Sequence, residues 1–156
     1  MRISAALPRG VSALLFESAR RRRALEAAWV ARLDAAAFEE IVLPILDYSE
    51  PYEPLLGAAA RRELYRFVGR DGELLALRAD FTPMLARLLA PQLEALDVGA
   101  HPLRLFYRGD VVRFAEERAG RPRESYQLGA ELLGVAGEAA EVEMLRLFLE
   151  LLSEVR

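Results

Sequence analysis

Residues 121–134 read RPRESYQLGAELLG, and their alternation decides the fold. Read as a strand, successive side chains point to opposite faces. Arg123, Ser125, Gln127, Gly129 and Glu131 line one face; Tyr126, Leu128, Ala130 and Leu132 line the other. The second face is a core face. The first is a polar row with a gap at Gly129, where a missing side chain lets a ligand approach the backbone. Gln127 and Glu131 then stand roughly 13 Å apart along the strand, room for a small amino acid to lie on the row. The plainer reading, an antiparallel strand with one wet face, fits the same alternation.

Outward from this strand the chain reads as helix, strands and helices in turn. Pro8-Arg9-Gly10 breaks the chain before a helix that Ser12 would cap and that runs to about Ala36. Its apolar positions are Leu15, Ala19, Leu25, Trp29 and Leu33, and its Arg20–Arg23 run reads as a solvated turn. Phe38–Leu43 reads as a strand, and residues 47–62 as a turn-rich connection with one short helix. Leu64–Val68 and Glu73–Leu77 form a hairpin across Gly69-Arg70-Asp71-Gly72. Pro83 suits the first turn of a helix ending near Leu89, with Asp80 or Thr82 as its cap. Leu103–Arg108 and Asp110–Phe114 read as strands paired across Gly109. Residues 138–155 read as an amphipathic helix with a core stripe of Val142, Leu145, Phe148, Leu149 and Leu152. This order predicts an α+β domain.

Composition bounds the function. The 156 residues are 53% hydrophobic and 29% charged, as in a packed globular domain. The net charge of −3 gives no bulk positive field to draw DNA, and all 21 basic residues are Arg. With no Cys and a single His (His101), structural zinc sites and disulfides are excluded, and a reducing cytoplasm fits. No apolar run approaches a membrane span, and MRISAALPRG lacks the long apolar core of a signal peptide.

Three polar groups could meet above one sheet: Arg78, Asp80 and Thr82; Arg113; and Arg123, Gln127 and Glu131. An amino-acid ligand needs an acceptor for its ammonium and a cation for its carboxylate. Asp80 and Gln127 can accept, Thr82 can assist, and Arg113 offers a forked cation. Were the ligand to carry an imidazole, Glu131 could accept from its ring N–H. Each residue also has a structural reading: Asp80 as a helix cap, Arg113 in an ion pair with Glu116 or Glu117, and Arg78 as a packing cation.

The segment from Arg113 to Gly134, with Gly120-Arg121, Arg123 and then Gln-Leu-Gly-x-Glu, resembles the second signature motif of class II aminoacyl-tRNA synthetases in its histidyl form. Residues 38–49 (FEEIVLPILDYS) are similar to the first class II motif. LALRADFTPMLARL (75–88) carries Arg-Ala-Asp-x-Thr-Pro where true histidyl-tRNA synthetases typically carry Arg-Pro-Glu-Gly-Thr. That form looks like their non-catalytic paralogue, the regulatory subunit of ATP phosphoribosyltransferase, whose usual start Leu7-Pro8-Arg9-Gly10 matches. The resemblance runs from about residue 7 to 155.

The resemblance implies a class II synthetase-like α+β fold: a mixed, mainly antiparallel sheet flanked by helices, incomplete on its C-terminal side. Residues 1–156 would be a single domain, the N-terminal part of such a protein, without an anticodon-binding domain. It implies that Asp80, Thr82, Gln127 and Glu131 bind histidine, with Arg113 near the ligand carboxylate or a phosphate. The synthetases' adenine-holding Glu, two residues after that Arg, is Ala115 here, which opposes adenylate formation. The implied role is a cytoplasmic, non-catalytic regulatory subunit in histidine biosynthesis. It would sense free histidine, support the short catalytic subunit and need no cofactor. A homodimer through residues 12–46 is implied, and no membrane, DNA or tRNA contact is expected. The competing readings are a fragment of a histidyl-tRNA synthetase catalytic domain and a dimerising module with no working ligand site. With half of the family pocket outside this sequence, weak histidine binding or none is expected.

Overall fold

A computed structural model describes residues 6–114 and 122–155, which form two compact units. The first unit comprises Met1–Ala13, Val42–Ala90 and Arg108–Gln127; the second comprises Leu14–Ile41, Pro91–Tyr107 and Leu128–Arg156.

In the first unit, β2 (Leu46–Tyr48), β4 (Leu74–Leu77) and β3 (Arg66–Val68) form an antiparallel sheet in that order. The foreseen hairpin is present. Phe67 pairs with Leu75, and the Gly69 N–H donates to the Glu73 carbonyl at 2.8 Å. Gly72 turns the chain at φ +89°, a conformation that side chains with a Cβ resist. Strand β2 falls where the sequence reads as a turn-rich connection, because its central residue is a buried aspartate. Asp47 is tolerated there because Arg87 donates to both of its oxygens, at 2.5 and 3.0 Å. The connection then holds two short helices, α2 (Ser49–Tyr52) and α3 (Ala58–Arg62), rather than one, with a 3-10 turn (Glu53–Leu55) between them. Helix α4 (Phe81–Leu89) closes a core of Tyr52, Leu56, Leu64, Ala76, Ala79 and Met84.

In the second unit, α1 (Phe16–Ala35) begins four residues beyond Ser12, which therefore does not cap it; Leu15 holds the cap position and makes no side-chain cap bond. The arginine run Arg20–Arg23 is exposed. Of the predicted strand at 38–43 only β1 (Glu39–Glu40) forms, parallel to β5 (Leu103–Val112) through Glu39 with Leu105 and Glu40 with Phe106. The core is Leu33, Phe38, Phe106 and Leu147, with Leu128 and Ala130 packed against it. Those last two lie on the predicted core face of β6 (Glu124–Leu133).

The sheet order is β1-β5-β6. The Arg113 N–H donates to the Arg123 carbonyl, while Gly129 faces Tyr107, six residues back on one strand and six forward on the other. The two strands therefore run antiparallel. The expected turn at Gly109 does not form: Leu103–Val112 is one continuous strand. Gly109 sits within it at φ +146° because Arg78 occupies the space beside it, and a Cβ there would lie 2.9 Å from Nη2 of Arg78.

Helix α5 (Glu138–Ser153) starts where predicted, ends two residues earlier and has the opposite facing. Val142, Leu145, Phe148, Leu149 and Leu152 are exposed, between 48% and 62%, and Ala140, Met144, Leu147 and Leu151 turn inward instead. Among the described residues no helix is long and apolar enough to cross a membrane.

Candidate functional site

The junction between β4 and α4 brings Asp80, Thr82 and Arg113 together. Asp80 caps α4 in an extended conformation (φ −155°, ψ 150°), and its carboxylate accepts from the Thr82 N–H at 3.2 Å. The negative group thus lies where the unpaired N–H groups of the first turn point. Arg113, just beyond β5, donates from Nε to the Ala79 carbonyl at 2.7 Å and from Nη2 to Oδ2 of Asp80 at 3.1 Å. The two charged side chains are 40% and 36% exposed, so water reaches them and their mutual attraction is worth under about 1 kcal/mol. A half-open carboxylate beside a half-open guanidinium is the complement of an amino-acid zwitterion. A ligand ammonium can take the acid and a ligand carboxylate the base, each replacing the other's partner. The two structural readings of Asp80 and of a binding group are therefore compatible in one residue. Glu116 and Glu117, the alternative partners considered for Arg113, lie outside the described residues, as does Ala115.

Tyr52 fixes this junction from below. Fully buried, its hydroxyl donates to the Asp80 carbonyl at 2.8 Å and accepts from the Asp80 N–H at 3.0 Å. Burial pushes the phenol above its ordinary range, partly offset by its hydrogen bonds to that backbone, so it stays protonated and able to donate. Sequence reading missed Tyr52, since nothing in a Pro-rich turn signals a partner 28 residues away.

Arg78 is structural. Buried, it donates to the carbonyls of Leu43 (2.6 Å), Pro44 (3.0 Å) and Asp110 (2.8 and 3.2 Å), and its guanidinium lies 3.8 Å from the centre of the Phe81 ring. Burial lowers its proton affinity, opposed by the attraction of Asp110. Arg123 is likewise tied to structure. Its N–H donates to the Gly10 carbonyl at 2.6 Å and its guanidinium sits 5.1 Å from the centre of the Phe114 ring. A Cβ on Gly10 would lie 2.8 Å from Cγ of Arg123, which gives the Leu7-Pro8-Arg9-Gly10 stretch its need for glycine.

Along β6, Gln127 and Glu131 are both half-buried. Gln127 belongs to the first unit with Asp80, Thr82 and Arg113; Glu131 belongs to the second. The gap expected at Gly129 is filled: a Cβ there would lie 2.5 Å from Cε2, Cζ and Oη of Tyr107. Gly129 is needed so that the Tyr107 ring can cross the strand, and the phenol hydroxyl then donates to Oε1 of Glu131 at 3.2 Å. Tyr107 was also missed, because cross-strand register is not written in either strand alone.

The antiparallel strands and flanking helices belong to a class II aminoacyl-tRNA synthetase-like fold, as the similarity to solved structures and the matching family model show. The chain belongs to the histidyl-tRNA synthetase family, whose family model, described as Histidyl-tRNA synthetase, matches residues 10–156. It is 36% identical over 148 residues to an ATP phosphoribosyltransferase regulatory subunit of Moorella thermoacetica, covering 95% of this chain and 37% of that one. It is 42% identical over 122 residues to the protein of the same name from Symbiobacterium thermophilum, covering 75% and 30%. Its structure is similar to that of a Bacillus halodurans protein titled ATP phosphoribosyltransferase regulatory subunit/histidyl-tRNA synthetase. The TM-score is 0.82 and the identity 27%, with 99% of this chain and 39% of that chain covered. The chain thus spans about a third of the length of the curated relatives it matches.

Proposed function

We propose that this chain acts within a non-catalytic regulatory subunit of ATP phosphoribosyltransferase, in which residues 1–156 are one domain that senses free histidine and supports the short catalytic subunit. Asp80 takes the ligand ammonium with help from Thr82 and Gln127, Arg113 takes the carboxylate, and Glu131 accepts from the imidazole. The observation that carries this reading is the half-open Asp80–Arg113 pair, set on a capped helix start within Arg-Ala-Asp-x-Thr-Pro. The names of the matched relatives support the regulatory role. Leu14, Leu15, Phe16, Val42, Ile45 and Leu46 are exposed apolar residues, which supports self-association through residues 12–46. The site is a cytoplasmic one in this reading and takes no cofactor.

Two measurements test it. NMR titration at millimolar histidine should shift resonances of residues 80–82 and 113, and Asp80→Asn should weaken binding about tenfold by removing a charged acceptor. Mixing the chain with a short catalytic ATP phosphoribosyltransferase subunit should raise phosphoribosyl transfer, and histidine should lower it. No histidine response and no effect on transfer would defeat the proposal. Histidine-dependent exchange of pyrophosphate into ATP would instead favour a synthetase fragment.

A further inference from the structure

Helix α5 carries more apolar surface than its own core takes in. Val142, Leu145, Phe148, Leu149 and Leu152 form a continuous exposed stripe, while Leu147 on the other side is buried. A contiguous stripe of this kind marks an interaction surface, whereas single exposed leucines do not. Glu138 and Glu141 stand exposed at its start, and neither is in an ion pair among the described residues. Helix α1 presents the matching set. Phe16 is 81% exposed, and Arg20 and Arg23 follow it on the same helical face. Both arginines are exposed, and among the described residues neither is in an ion pair. The spacings agree as well. Phe16 to Arg23 and Leu149 to Val142 both cover seven residues, about 10 Å along a helix.

We infer that the outer stripe of α5 is an interface between two copies of this chain, on which the start of α1 from the second copy lies antiparallel. This rests on the self-association through residues 12–46 proposed above and extends it to α5. With Phe16 set against Leu149, Arg23 comes to Val142, beside Glu141. Arg20 then lies over Leu145, its stem on the stripe and its charge toward Glu141. A second α5 fits the stripe less well, since Glu138, Glu141, Glu150 and Glu154 would then face like charges. The two surfaces belong to one unit. There the Trp29 Nε1–H donates to the Leu151 carbonyl at 2.8 Å, and Arg32 pairs with Glu154 at 3.5 Å. A two-fold axis uses each surface twice and closes the assembly as a pair.

The test is analytical ultracentrifugation of the unaltered chain and of charge-reversed variants over a range of concentrations. The unaltered chain should form a reversible dimer. Arg20→Glu with Arg23→Glu, and separately Glu138→Arg with Glu141→Arg, should each raise its dissociation constant about tenfold. All four changes together should restore the dimer, a recovery that damage to either helix would not give. Dimerisation untouched by either reversal, or reversals that add instead of cancelling, would overturn the inference while leaving self-association through residues 12–46 in place. A chain that stays monomeric at every concentration would overturn that reading itself, and the inference with it.

Discussion

Helices α4 and α5 make an instructive pair. Helix α4 starts on a side-chain cap and is pinned there by Tyr52, Arg113 and the buried Arg78 beneath Phe81. Helix α5 starts at Gly137 with no side-chain cap and presents two apolar rows, one packed and one exposed. The first helix is placed by directional polar bonds that admit one arrangement. The second is placed by non-directional burial, which needs only one apolar row and leaves the other to water. Chemistry gathers where placement is directional, since a binding group must be held to a fraction of an ångström.

The strongest way to break the polar side of this comparison is Arg78→Met. It leaves the carbonyls of Leu43, Pro44 and Asp110 without this donor in a buried setting. A loss of about 3–5 kcal/mol is expected in urea unfolding. The apolar side is sharpened by two substitutions on one helix. Leu147→Ala, in the core, should cost about 2–4 kcal/mol, and Leu149→Ala, on the exposed row, less than about 0.5 kcal/mol. Equal costs would mean that the outer row is packed.

The smallest effect concerns acid. Arg104 donates to both oxygens of Glu143 on α5 and holds that carboxyl below its ordinary value. A depressed folded-state value means the stabilisation is present above the unfolded value of about 4.3 and fades as pH falls through the folded one. Since Glu143 is well exposed, the term is under about 1 kcal/mol. Thermal unfolding at about pH 7 and about pH 3 should show a smaller acid loss in Arg104→Gln than in the parent.

Residues whose partners are local were legible in the sequence. The hairpin at Gly69–Gly72, the Asp80 cap and the alternation of β6 all depend on neighbours within a few positions. What escaped reading depends on register or on a choice between equals. Gly109 looked like a turn because its true reason, the Arg78 guanidinium, comes from 31 residues earlier. On α5 the rows 142/145/149/152 and 140/144/147/151 have the same helical period, and periodicity cannot say which one meets the core. In the candidate site the same division holds. Asp80, Thr82 and Arg113 were visible as types and spacings, while Tyr52 and Tyr107, which bond to Asp80 and Glu131, were not.

The hydrogen bond from Arg123 to Gly10 joins positions more than a hundred residues apart. During synthesis the opening residues must therefore wait for the start of β6 to emerge, roughly 5–20 seconds at ordinary rates of translation. Until then the turn at Gly10 has no strand to fasten to, and anything that occupies it in that interval competes with the bond to Arg123.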